Sequence, residues 1–187
     1  MLQTSNLTCQ RDGRTLFAKL NMRLDKGDYL ELTGPNGSGK STLLRCMAGL
    51  FVDYDGDIRV SDYQYLGHRL GISQVLTAGE NLIWMAGLVG RDTTAINETL
   101  ERVGLAGFAD VLCSQMSAGQ QRRVALARLL LCEAQVWLLD EPLTALDSAG
   151  VKLIQSLVAD QRLHGCVVCA THQSLECPDS MTQELGS

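Results

Sequence analysis

The run Gly34-Pro35-Asn36-Gly37-Ser38-Gly39-Lys40-Ser41-Thr42 has the residue types and spacing of a phosphate cradle. Its glycines tolerate the torsions that turn successive backbone N–H groups onto phosphate oxygens, and a helix starting at the loop's end adds its positive terminus. Lys40 then reaches the outer phosphates as a point charge, and the Ser41 hydroxyl stands where a nucleotide-bound Mg2+ needs an oxygen. Later in the chain, Val136-Trp137-Leu138-Leu139-Asp140-Glu141 is an apolar run closed by two acids. Asp140 suits a direct or water-mediated Mg2+ contact, and Glu141 suits orienting or deprotonating an attacking water. Together these residues predict binding and hydrolysis of Mg-ATP.

Chemistry of this kind needs a scaffold that delivers loop and acids to one edge, and the chain alternates short β-like runs with helical ones. That alternation predicts an α/β domain with a largely parallel sheet. Asp28 to Thr33 reads as a strand running into the glycine-rich loop, followed by a helix from Lys40 to Ala48 that Gly49 ends. Between Ala78 and Val103 the spacing of Ile96, Leu100 and Val103 is helical, with Asp92 placed to cap a helix start. Gln135 to Leu139 and Cys166 to Ala170 are apolar enough for buried central strands. A helix from about Asp147 to His164, closed by Gly165, joins them. In an open sheet of this type ligands gather at the carboxyl ends of the strands, where Asp140 and Glu141 fall.

Composition narrows the class. The 187 residues are 45% hydrophobic and 20% charged, which fits one ordinary globular domain. With 16 Lys plus Arg against 21 Asp plus Glu, the net charge of -5 offers no polybasic face for nucleic acid. The first residues lack the apolar core of a secretory leader, and no apolar run approaches the ~20 residues that cross a bilayer. The seven cysteines are odd in number and several lie inside apolar runs, so they read as reduced thiols used as small hydrophobes. Cys166 and Cys169 sit three apart on a strand and face opposite sides, so they do not pinch one metal. Trp84, Met85 and their apolar neighbours read as core, with any exposed part of that helix free to dock a partner.

Met116-Ser117-Ala118-Gly119-Gln120, followed by Gln121-Arg122-Arg123-Val124-Ala125-Leu126-Ala127-Arg128, resembles the signature segment of ABC-type ATPases. Taken with the phosphate loop and the acid pair, the resemblance implies a P-loop NTPase fold of the ABC type. Its parts would be a parallel-sheet core, an N-terminal antiparallel β subdomain and a helical subdomain inserted at about residues 77–120, all within a single ATP-binding domain over 1–187. It implies that two copies pack head to tail. Ser117, Ala118, Gly119 and Gln120 of one then close over the ATP held by Lys40 of the other, and Thr144-Ala145-Leu146-Asp147 crosses that interface as the D-loop. It also implies that His172 contacts the γ-phosphate. Two positions depart from the general pattern. His68 occupies the place of the usual Q-loop glutamine, and near Arg11 there is no aromatic ring for adenine. The Arg11 guanidinium can lie flat on the base or simply remain solvated.

Arg14-Thr15-Leu16-Phe17, Leu66-Gly67-His68, Leu76 to Leu82 and the signature run are similar to one small branch, the ATPase subunits of haem exporters in cytochrome c maturation. That resemblance covers about Leu2 to His172. It implies integral membrane permease subunits and a second ATPase copy as partners, and a peripheral position on the cytoplasmic face of the bacterial inner membrane. Export of another small substrate remains an alternative, as does a soluble ABC ATPase acting on nucleic acid, against which the acidic charge and the single cassette argue. The tail from Gln173 to Ser187 is short and polar and reads as lacking a terminal element that relatives carry.

Overall fold

The computed structural model describes residues 1–186 and divides into two compact units. The first comprises Met1–Gly67, Ala134–Leu143 and the chain from Ile154 on; the second comprises His68–Glu133 and Thr144–Leu153.

The first unit holds two sheets. In one, β1 (Leu2–Arg11) lies between β2 (Arg14–Leu24) and β4 (Asp55–Val60), antiparallel to both. The β1–β2 hairpin turns at Asp12 and Gly13, whose φ values of 52° and 74° are those of a type I′ turn. Asp-Gly is a favoured pair there because its twist matches that of the flanking strands. The other sheet has the order β5-β6-β7-β3-β8, with every pairing parallel. Its members are β3 (Tyr29–Thr33), β5 (Tyr63–Leu66), β6 (Val136–Asp140), β7 (Cys166–Ala170) and β8 (Met181–Glu184). All five residues of β6 and of β7 are buried, as two-sided burial in a parallel sheet requires. The helix α1 (Lys40–Met47) follows β3, and Gly49 just beyond it has φ 63°, the left-handed residue expected there.

The polar tail is not featureless. It supplies β8 on the outer side of β3, and the Leu185 amide then donates to the Thr33 carbonyl at 3.0 Å. Parallel pairing asks only for extended backbone, so this strand carries no apolar signature to betray it.

The second unit is helical. It contains α2 (Ala78–Leu88), α3 (Ile96–Arg102) and α4 (Ala118–Leu131), and it takes in the first residues of α5 (Ser148–Arg162). Thr77 and Glu80 form a capping box at the start of α2. The buried Asn81 side chain ties Ser73, Thr77 and Cys113 together. Two local expectations need correction. Asp92 caps no helix: its carboxylate accepts from the Thr94 amide and hydroxyl in a local turn, hydrogen bonds that hold its pKa below the ordinary carboxylate value. Gly165 is not a left-handed helix stop. A Cβ there would meet the Gln135 carbonyl oxygen, so its smallness allows two backbones to approach.

Cys9, Cys46, Cys113, Cys132, Cys166 and Cys169 are buried free thiols, and Cys177 is half-buried. Burial raises the Cys46 pKa to about 12, so this thiol stays protonated and behaves as a small apolar side chain. Trp84 is not core: it is 57% exposed on α2, with Ile83, Leu88 and Val89 exposed beside it. Among the described residues no helix is long and apolar enough to cross a membrane.

Candidate active site

Strand order decides which side chains meet. Because β7 pairs with β3 on one side and β6 on the other, the loop after β3 and the acids closing β6 stand two strand spacings apart, about 10 Å. Register completes the alignment, since Ala170 of β7 pairs with both Leu32 and Asp140. Residues 33–42, 140–141 and 171–172 therefore all leave the sheet at the same edge.

In the phosphate loop Gly34, Gly37 and Gly39 have φ values of 130°, 79° and 104°, so the backbone reverses repeatedly and only glycine is unstrained at these positions. Pro35, Asn36 and Gly37 form the exposed rim, whereas Ser38, Gly39 and Lys40 are buried and Ser41 and Thr42 half-buried. No side chain caps α1, whose N-cap residue is the left-handed Gly39. Its first-turn N–H groups are left for an anion, and the helix dipole adds positive potential. The Lys40 ammonium donates to the Gly34 and Pro35 carbonyls at 2.7 and 3.2 Å, folded back over the loop it serves. Ser38 is 2% exposed and its hydroxyl has no hydrogen-bond partner. A buried hydroxyl left in that state costs free energy, and a phosphate oxygen would satisfy it.

The Ser41 hydroxyl donates to Asp140 Oδ1 at 2.8 Å, and Asp140 is 1% exposed. These two oxygens fit a hard divalent cation that takes oxygen ligands. No cluster of three or more His, Cys, Asp or Glu that could hold a metal occurs among the described residues. Two protein oxygens leave most positions of such a cation to other oxygen ligands, for which phosphate and water are suited.

Glu141 follows with φ 52°, a left-handed conformation that costs a non-glycine residue about 1–3 kcal/mol. Its amide donates to the Ala170 carbonyl at 2.8 Å, which ties the left-handed residue to β7. His172 Nε2 lies 3.4 Å from Glu141 Oε1. Acid and imidazole thus share the sheet edge with the loop. Arg11 is elsewhere engaged: it is exposed and pairs with Asp12 at 3.6 Å.

The remaining predicted residues belong to the second unit. His68 is exposed and is that unit's first residue. Ser117 caps α4 through a capping box, its hydroxyl accepting from the Gln120 amide at 3.2 Å while Gln120 Oε1 accepts from the Ser117 amide at 2.9 Å. Both residues line an open cleft of about 560 Å3 with Ala118, Gly119, Arg123 and Asp147. Gly119 is needed because a Cβ would stand 3.1 Å from the Ala145 carbonyl oxygen. Asp147 caps α5 through the Gly150 amide at 2.8 Å and faces the Arg123 guanidinium at 3.6 Å.

Four residues beside these sites escape sequence reasoning. Tyr65 donates to Asp140 Oδ2 at 3.4 Å, and burial pushes its pKa above that of an ordinary phenol, so it stays a donor. Arg123 brings a cation to the signature cleft; its place in the signature run was visible, its reach was not. Leu185 and Gly186 back the phosphate loop, where a Cβ on Gly34 would meet the Leu185 carbonyl oxygen and one on Gly186 would lie 2.8 Å from Ser38 Cβ.

Comparison with known proteins agrees with this geometry. Residues 17–144 match the family model described as ABC transporter. The chain is 46% identical to the cytochrome c biogenesis ATP-binding export protein CcmA of Pseudomonas putida, covering 99% of this chain and 95% of that protein. It is 42% identical to the protein of the same name from Saccharophagus degradans, over 97% and 91% of the two chains. Among solved structures, the ATP-binding subunit of an ABC transporter superposes with a TM-score of 0.83 at 21% identity, covering 92% of this chain and 79% of that one, which supports the fold.

Proposed function

This chain belongs to the ABC transporter family, and from that premise we propose that it is the ATP-hydrolysing subunit of an exporter complex that powers haem export in cytochrome c biogenesis. The observation that carries the enzymatic reading is the single sheet edge shared by the phosphate loop, the Ser41–Asp140 pair and the Glu141–His172 pair. The near full-length similarity to the CcmA proteins supports the biological role.

In this reading Lys40, Ser38 and the first-turn amides of α1 hold the β- and γ-phosphates. Ser41 and Asp140 hold Mg2+, which when bound neutralises charge building on the phosphate oxygens. Glu141 takes the proton of the attacking water or orients it, and His172 steadies Glu141 and the γ-phosphate. Residues 1–187 act as one ATP-binding domain with a helical insert at about 77–120.

The second phosphate contact comes from another copy. Ser117, Ala118, Gly119 and Gln120 of one subunit cover the ATP held by its partner, with Asp147 at that boundary. The exposed Ile83, Trp84 and Leu88 of α2 and Val89 just beyond it, together with the segment containing His68, receive an integral membrane permease and so hold the enzyme at the cytoplasmic face of the inner membrane. No nucleic-acid partner enters.

Affinity purification of the chain from bacterial membranes, with absorption spectroscopy of what accompanies it, tests this. A permease carrying a haem spectrum is the expected result. A permease without haem would move the cargo to another small molecule. Full ATP turnover by an isolated monomer that associates with no membrane protein would overturn the transporter reading.

A further inference from the structure

Asp140 is a buried carboxylate with two oxygens to satisfy, and each meets a different hydroxyl. Oδ1 accepts from Ser41 at 2.8 Å and Oδ2 from Tyr65 at 3.4 Å. The first of these donors is itself a proposed metal ligand, so a cation drawing on the Ser41 oxygen competes with its bond to Asp140. The second belongs to no motif.

The sheet explains why Tyr65 reaches this far. In the β5–β6 register Tyr65 pairs with Leu138, and Asp140 lies two residues beyond Leu138 on the same face of β6. A ring leaning along the strand from position 65 therefore carries its hydroxyl to the carboxylate. Two further contacts hold the ring. Gly67, two residues on along β5's course, lies under it: a Cβ there would stand 2.8 Å from Tyr65 Cε1 and 2.9 Å from its hydroxyl oxygen. Arg45, from the helix that follows the phosphate loop, hydrogen-bonds the same hydroxyl.

We infer that Tyr65 is a positioning residue for the nucleotide-bound metal: its hydroxyl holds Asp140 Oδ2, fixing the rotation of the carboxylate so that Oδ1 faces the cation beside Ser41. Gly67 is a glycine because the ring occupies the space a side chain would need. The inference rests on the Mg-ATP reading of the site and adds a residue to it.

The test is metal affinity rather than turnover. Mn2+ binding to the full chain with ATP is read by electron paramagnetic resonance, and ATP binding in excess chelator by calorimetry. Tyr65→Phe removes only the hydroxyl and is expected to weaken Mn2+ about 10-fold while metal-free ATP binding changes by less than about 2-fold. Gly67→Ala keeps the hydroxyl but pushes the ring, and should reproduce the loss; it also answers the question should Tyr65→Phe fail to fold. Unchanged Mn2+ affinity in the folded variants would overturn the inference, as would an equal loss of ATP binding in chelator, which marks general damage to the loop. Failure of the unsubstituted chain to bind ATP at all would instead strike the Mg-ATP reading itself.

Discussion

The two helix N-termini that bear on phosphate, α1 in the first unit and α4 in the second, are built on opposite plans. At α1 the N-cap is a glycine, no side chain caps the turn, a lysine folds over the loop, and a buried serine hydroxyl lacks a partner. Its donors are left open for an anion. At α4 the capping box consumes the Ser117 and Gln120 amides, the serine is exposed, and the cleft in front is wide. What remains there is the proton of the Ser117 hydroxyl, the Ala118 and Gly119 amides and the helix dipole, with Arg123 close by but already facing Asp147. In the proposed reading the first terminus is a whole phosphate site and the second is half of one. A half site adds little affinity alone, but it can stabilise charge on a phosphate that something else presents, as pairing of two copies would provide.

Ser117→Arg should break the comparison most severely. The added side chain fills the cleft at α4 while α1 is untouched, so ATP binding to the monomer should persist and hydrolysis disappear; a phosphate-release assay beside calorimetry reads both. Continued turnover would mean that α4 has no part in the reaction. Glu141→Gln removes the proton acceptor at the complete site and should slow turnover about a thousandfold. ATP then survives long enough for a dimer to accumulate at saturating nucleotide, seen by size-exclusion chromatography, and a persistent monomer would show that the acid is misassigned. Ser38→Ala probes the open plan of α1. It should weaken ATP about 10-fold without lowering the melting temperature of the nucleotide-free chain, because the lost hydroxyl had no partner to lose. Thr77→Ala is the control for the closed plan, deleting a capping box of the same kind at α2. It should cost about 1 kcal/mol, a fall of about 2–4 °C in melting temperature, with ATP turnover per folded molecule unchanged.

Much of this was readable one segment at a time. The glycines of residues 34–39 permit torsions closed to other residues, and Gly34, Gly37 and Gly39 adopt positive φ. The apolar runs 136–140 and 166–170 demanded two-sided burial, and β6 and β7 have it. Asp92 and Gly165 went the other way for instructive reasons. An aspartate can satisfy a nearby turn as readily as a helix end, and a glycine can answer a steric demand from a distant backbone rather than a torsional one of its own. Apolar residues on a helix usually face inward, yet Trp84 is exposed, because hydrophobicity alone does not say whether the covering surface belongs to the same chain.

Local chemistry, then, was settled by the order of residues: the phosphate loop, the paired acids closing a strand, the Asp-Gly hairpin and the capped start of α4. Each depends on torsions and hydrogen bonds within a few residues, which side-chain type controls directly. The meeting of Ser41 with Asp140, of Tyr65 with the same carboxylate, and of Gly186 with Ser38 was decided only in the folded molecule. Those contacts follow from the order and register of five parallel strands. Strand order is chosen by packing of the whole sheet, and no short stretch of chain encodes which neighbour it will find.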